Sequence, residues 1–314
     1  MLIEMNRRSF LRTSFALGAA AAISPRMLFA QSNDHLAQAR EGAAKTPIKV
    51  TKLYDNLFLL QGAGGNMAAQ LGPDGILYID SSFASAVPHI KEALAGLTHD
   101  APDTLVNTHW HFDHTDGNEA MHTNGFHILA HTKTRQRLSA SSAVKLFGME
   151  LPAYPAAALP TTTFDHAMHI WHNGDELNLV HVEPAHTDTD IYIHFHKADV
   201  LHTGDLWFNG FYPFIDEGSG GNIDGMIKAG KHILSLVSNS TKLIPGHGPL
   251  GDKAGFQKFN DMLSGVRDNV AKLKTAGLSE QEAIAKKPTA SFDADWGKGM
   301  LSPDVFVGIV YRTL

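Results

Sequence analysis

Short apolar runs broken by glycine and proline dominate the first part of the chain. IKVTKLYD, LFLLQG, NMAAQLG and GILYIDS are separated by Gly-Ala-Gly-Gly and Gly-Pro-Asp-Gly, the punctuation of β-hairpins and meanders. Apolar spacing then turns helical at Val87, Ile90, Leu94 and Leu97, and a strand is predicted near Asp103–Asn107. Further on, DIYIHFHKADVLHTGD puts Ile191, Ile193 and Phe195 on one face of a strand and Tyr192, His194 and His196 on the other, as a period of two requires. Helical spacing returns at Ile223, Met226, Ile227, Ile233, Leu234 and Val237, and again at Phe259, Met262, Leu263, Val266, Val270 and Leu273. Ser279-x-x-Glu282 has the form of a capping box opening a short helix. Sheets with intervening and flanking helices predict a layered α/β domain with its helices outside.

The N-terminus changes this picture only at its edge. NRRSFLRTSFALGAAAAISPRMLFAQS carries Arg7-Arg8, Phe10-Leu11 and a short apolar run ending in small residues, and resembles a twin-arginine export signal. The chain is therefore divided into a signal over 1–30, a flexible segment over 31–47 and a single domain with C-terminal helices over 48–314, destined for the periplasm or otherwise exported. Ala16 to Ile23 is too short for the roughly 20 apolar residues of a membrane span, so no stable span is expected. Removing residues 1–30 takes away four Arg and one Glu and moves the net charge from −6 to −9, which opposes nucleic acid or anionic lipid as a partner. The partner expected is a small-molecule substrate. Cysteine is absent from the 314 residues, which excludes disulfides, thiolate nucleophiles and Cys metal ligands. Any metal must be held by His and carboxylate.

Candidate chemistry concentrates in NTHWHFDHTDGN. His109 and His111 lie two apart at a strand end and point the same way, and Asp113 and His114 follow as the chain turns toward a helix. Four donors then face one small volume. Neutral imidazole and carboxylate suit zinc, and one ion cannot comfortably take all four from so tight a loop. Two adjacent ions can share them. Three more strand ends supply partners: His186 in PAHTDTD, Asp205 in LHTGDLWF and His247 in IPGHGP.

With an Asp-ending strand (Asp80), HxHxDH, a downstream His, Gly-Asp and Gly-His-Gly in that order over about residues 48–250, the chain resembles the metallo-β-lactamase fold hydrolases, in a β-lactamase-like branch with Asp at the bridging position. The resemblance implies a four-layered αββα sandwich. It also implies that His109, His111 and His186 bind one zinc, that Asp113, His114 and His247 bind the other, and that Asp205 bridges them; iron or manganese would fit the same donors. A metal-bridging hydroxide oriented by Asp113 would then open a small ester, lactone, amide or lactam. Thr187, Asp188 and Asp190 are candidates to orient the ligand imidazoles.

The substrate is approached through three stretches: GAGGNM (62–67) as a hairpin tip over the metals, residues 139–170 as an apolar lid, and LWFNGFYPFIDEGSGGN (206–222) as an aromatic rim. Trp207, Phe208, Tyr212 and Asn222 are its candidate substrate contacts. In β-lactamases with this motif order the bridging position is usually Cys, and a Lys three residues on grips the antibiotic carboxylate; here these are Asp205 and Phe208. The cleft is therefore expected to lack that cation unless Lys133, Arg135, Arg137 or Lys145 reaches it. The Asp205 pattern is shared with lactonases, glyoxalase-like thioesterases and phosphodiesterases. No basic cluster for a glutathione tail follows His247, and His111 stands where diiron reductases of this fold carry Glu. A lactonase or thioesterase is the alternative enzyme, and a non-catalytic periplasmic accessory or binding protein the alternative class.

Overall fold

The computed structural model describes residues 35–314, so the export signal expected over 1–30 lies outside the described residues. Residues 35–43, within the stretch expected to be flexible, form helix α1. Its Ala43 is buried, and the Arg40 guanidinium grips Asp116 through Nε at 2.9 Å and through a terminal nitrogen. A forked ion pair and the apolar packing of Leu36, Ala39 and Ala43, which recur at helical spacing, thus hold this helix against the domain.

Seven strands form the first sheet, in the order β1 (Lys49–Lys52), β2 (Leu57–Gln61), β3 (Met67–Gln70), β4 (Ile76–Ile79), β5 (Pro102–Val106), β6 (His127–His131) and β9 (Thr162–Phe164). The small hairpin β7 (Ser142–Val144) and β8 (Met149–Leu151) stands apart from it. Pairing is antiparallel through β4 and parallel from β4 to β9. Helices α2 (Val87–Ala95), α3 (Phe112–Thr115), α4 (Asn118–Thr123) and α5 (Thr132–Leu138) fill the connections. The second sheet runs β10 (Ala167–His172), β11 (Asp175–His181), β12 (Ile191–Phe195), β13 (Val200–His202), β14 (Lys242–Ile244) and β15 (Gly251–Asp252). Its helices are α6 (Ile223–Leu236), α7 (Lys253–Thr275), α8 (Glu280–Ala285), α9 (Asp293–Trp296) and α10 (Pro303–Thr313). The capping box predicted at Ser279 opens α8 with both reciprocal hydrogen bonds made.

Side-chain alternation creates the layers. Leu59, Leu77, Ile79, Val106 and Leu129 of the first sheet meet Leu177, Leu179, Ile191, Ile193 and Phe195 of the second in a core between the sheets. Their strand neighbours Leu60, Tyr78, Leu105 and Ile128 face the other way, onto Val87, Ile90 and Leu94 of α2 and Met121 of α4. On the far side Tyr192, Leu201 and Leu243 pack among α6, α7 and α10. The result is helix, sheet, sheet, helix. Each fully buried Leu, Ile or Phe contributes about 1.5–3 kcal/mol, and a one-residue slip would turn both faces inside out, so the alternation fixes register. No helix among the described residues is long and apolar enough to cross a membrane.

Candidate metal centre

Every candidate metal ligand lies just beyond the carboxyl end of a strand. His109, His111, Asp113 and His114 follow β5, His186 follows β11, Asp205 follows β13 and His247 follows β14. The first strand belongs to one sheet and the other three to the second, so the site sits where the two sheets share an edge. Two donor groups result: His109, His111, His186 and Asp205 in one, Asp113, His114 and His247 in the other, with each group's ligand atoms within 4.8 Å of one another. Asp205 connects them, with Oδ2 3.4 Å from His186 Nε2 and 3.3 Å from His247 Nε2, and Oδ1 3.1 Å from His114 Nε2. The first group is buried, whereas the side chains of Asp113 and His247 are each 20% exposed.

Hydrogen bonds behind the ligands decide which ring atom faces inward. Asp80 accepts from Thr108 N–H, from the Thr108 hydroxyl and from His114 Nδ1–H, each at 2.7 Å. With its proton given to Asp80, the Thr108 oxygen accepts from His109 Nδ1–H at 3.0 Å. His111 Nε2–H donates to Asp216 at 3.1 Å, and His186 Nδ1–H to the Phe214 carbonyl at 2.7 Å. His109, His111 and His186 are thereby oriented with a lone pair toward the centre, and His114 turns its Nε2 inward to Asp205. His111 Nδ1 and His186 Nε2 then face each other at 2.9 Å, and the buried His109 Nε2 has no hydrogen-bond partner. Opposed lone pairs and an orphaned buried nitrogen are unfavourable by themselves and are what a cation resolves, so the donor set fits a metal.

Close backbone approach completes the enclosure. A Cβ at Gly65 would overlap the His114 ring, and one at Gly246 the Asp205 carboxylate, so the Gly-Gly hairpin tip and the Gly-His-Gly turn can seat against the ligands only as glycine. Gly65 N–H donates to the Asp113 carbonyl at 3.1 Å and Asn66 N–H to the Gly246 carbonyl at 2.7 Å, tying the tip to both.

Charge is unevenly distributed. Burial pulls the His247 imidazole down, but Asp205 and Asp113 outweigh it and push it up to about 9; burial likewise opposes, and Asp205, Asp113 and Asp80 overcome, for His114, which is raised well above its ordinary value. Burial holds His186 down to about 4 and His109 well below its usual range. For Asp113 burial acts upward, yet His114 and His247 bring it to about 2. Without metal, His114 and His247 form an ion cluster with Asp113 and Asp205, while His109 and His186 are neutral rings.

The metallo-beta-lactamase superfamily matches this chain over residues 68–248, a stretch that includes all seven donors. The chain belongs to the metallo-beta-lactamase superfamily. It has the fold of "Metallo-beta-lactamase from Pontibacter korlensis" (TM-score 0.58, 16% identity, covering 69% of this chain and 99% of that one). It is similar as well to the DIM-1 metallo-beta-lactamase (TM-score 0.57, 18% identity, 70% and 99%). A stereoselective inverting sec-alkylsulfatase, Pisa1 from Pseudomonas sp., is similar over more of this chain (TM-score 0.65, 16% identity, 84%), which spans 50% of that protein. By sequence, no curated protein matches.

As a superfamily hydrolase, the chain would act in the cleft of about 550 Å³ that opens on Asp113, Asp205, His111 and His247. Phe208 lines it, as expected, with its ring stacked on His247 at 5.2 Å. Three other expected contacts are elsewhere. Trp207 is fully buried against Phe256 of α7. Tyr212 is fully buried, stacked on Phe306 of α10, with its hydroxyl donating to Asp293. Asn222 caps α6, accepting from Gly225 N–H at 2.7 Å. Thr187 and Asp190 bond each other, and Asp188 pairs with Arg137; the imidazoles are oriented by Asp80, Thr108, Asp216 and the Phe214 carbonyl instead. Of the 139–170 lid only Val144 and Phe147 reach the cleft, because the chain beyond β8 returns to pair β9 with β6.

Two residues unmarked in the sequence complete the site. Asp216 sits in the aromatic loop, where an Asp at a Gly-rich turn carries no signal of its own. Lys298 lines the cleft from the far C-terminal segment. Position 208 itself is Phe, as expected, and of the four cations considered Arg137 is engaged with Asp188 and Arg135 with the Pro160 carbonyl.

Proposed function

We propose that this chain is an exported dinuclear zinc hydrolase of small esters, lactones, amides or lactams. What supports the reading is the arrangement of seven donors in two adjoining groups, with Asp205 within 3.4 Å of imidazoles from both, open on one side to an aromatic cleft. Two ions held there would supply a water activated near neutral pH and a polarised carbonyl oxygen. His109, His111 and His186 would hold one ion, Asp113, His114 and His247 the other, and Asp205 would serve both. Asp113, which lines the cleft, would also orient the attacking water and carry a proton toward the leaving group. Phe112, Phe208 and Phe214 exclude bulk water and bury the apolar part of the substrate. Zinc is proposed because borderline nitrogen and carboxylate donors suit it, and iron or manganese would keep the geometry.

Elemental analysis of protein purified without chelator, followed by turnover of a panel, tests this. The panel contains nitrocefin, an acyl-homoserine lactone, a neutral aryl ester, a glutathione thioester and a phosphodiester, and the likeness to a sec-alkylsulfatase adds a secondary alkyl sulfate. Two ions per chain and turnover of an ester, lactone or lactam are expected. A stoichiometry at or below one that added zinc does not raise sinks the dinuclear reading, and turnover confined to the phosphodiester sinks the substrate class.

A further inference from the structure

The cleft walls are apolar, with Phe112, Phe147, Phe208, Phe211 and Phe214 among them, and Lys298 is the one Lys or Arg that lines it. Among the described residues the Lys298 ammonium makes no ion pair, although Arg137, Arg267 and Arg312 elsewhere are each paired with carboxylates. The acidic groups of the cleft, Asp113 and Asp205, belong to the donor groups. One unneutralised cation thus lines the same cleft as the aromatic rings and the donors Asp113, Asp205 and His247.

Its position is set by the fold. Lys298 lies between α9 and α10, in a segment outside the residues matched to the superfamily. Tyr212 N–H donates to the Trp296 carbonyl at 3.0 Å, the Tyr212 hydroxyl donates to Asp293 at 2.8 Å, and Trp296 packs on Phe259. The segment is thereby pinned to the loop that supplies Phe208, Phe211 and Phe214. The backbone two residues before Lys298 is therefore tied to the loop that carries the aromatic wall.

We infer that Lys298 is a specificity-determining residue: the cleft selects a small apolar substrate carrying a carboxylate remote from the scissile bond. The inference rests on the hydrolase reading above for the word substrate, but the binding itself does not need turnover. Lys298 is exposed and its ammonium keeps part of its hydration, so what it offers a carboxylate is one charge-assisted hydrogen bond beside an apolar wall. The apolar body of the ligand gains from burial against the rings. A neutral isostere keeps the second gain and loses the first.

The test is calorimetric binding of 4-phenylbutyrate and its neutral isostere 4-phenylbutanamide to the zinc-loaded full mature chain. Wild-type protein should bind the carboxylate about tenfold tighter. Lys298→Met should erase the preference, and Lys298→Arg, which keeps the charge, should retain it. The side chain is exposed, and thermal melts of both variants check that folding is intact. A preference that survives in Lys298→Met would show that the metals or another group take the anion, and equal binding of the two ligands by wild-type protein would remove the selection; either result overturns the proposal. Turnover of the neutral aryl ester reports separately on the hydrolase reading, which can fail while the carboxylate preference stands.

Discussion

At the scale of single residues, Asp113 and Asp80 look similar in sequence and do different things. Asp80 is fully buried, accepts three hydrogen bonds and touches no cleft; it positions His114 and His109. Asp113 stands at the mouth. Asp113→Asn keeps the shape and removes the charge that holds one ion and orients water, so kcat should fall by about a hundredfold or more with little change in melting temperature. His122→Gln is the control, because His122 bonds only the Phe126 carbonyl and lies outside both donor groups. A variant Asp113→Asn with near wild-type kcat would remove the role assigned to it. The ligands were legible because HxHxDH is local and its strand and turn geometry carries four donors together. Asp216 and Lys298 were not, since only tertiary packing brings a turn Asp and a C-terminal Lys to residues near 111. Aromatic richness in 206–222 showed that something packs there without saying which way each ring points: Phe208 faces the cleft, while its neighbour Trp207 faces α7.

At the scale of elements, period-two and period-3.6 patterns located most strands and helices, because each must present one face to a core. Ile191, Ile193 and Phe195 face the first sheet as the alternation required. Order within the sheets was not legible, and neither was the return of β9 to the first sheet, since three-residue strands leave too short a pattern. Helix α1 falls in the stretch expected to be flexible, although Leu36, Ala39 and Ala43 recur at helical spacing; what fixes it to the domain is their packing together with Arg40 meeting Asp116, 76 residues away. Asp116 also accepts from Ala84 N–H at 2.9 Å and is nearly buried, whereas the Arg40 side chain is 46% exposed. Arg40→Ala should therefore cost about 0.5–1 kcal/mol, and Asp116→Ala more, about 1–3 kcal/mol, by leaving a backbone donor and a guanidinium unsatisfied. Urea denaturation of both variants, with equal slopes, checks the ranking. The reverse order would mean that α1 is held by something other than this pair.

For the molecule as a whole, the ion cluster makes the metal-free protein respond to pH in both directions. His247, raised to about 9, contributes stability that is complete below its unfolded value near 6.5 and is lost as pH rises through about 9. His186, held down to about 4, acts oppositely: its contribution is present above 6.5 and lost as pH falls through about 4. Metal-free protein should accordingly melt highest between these limits, near pH 6.5, and lose stability on either side. A metal bound by His247 and His114 would have to displace their protons, so zinc affinity should rise across pH 6.5–9. Thermal melts of chelated protein and zinc titrations at stepped pH measure both. A metal-free melting temperature that does not fall between pH 6.5 and 9 would count against the ion cluster.

Because the donors hang from strand ends in both sheets, a bound metal would act as a fastener between the two halves of the sandwich. A chain without cysteine cannot cross-link those halves by oxidation. Two ions at their common edge would close long stretches of chain as a disulfide does, with strength set by free metal concentration rather than by redox potential. Loss of metal would then loosen strands in both halves together, so amide exchange in β5 and in β13 and β14 should accelerate in step on chelation, even though these strands belong to different sheets.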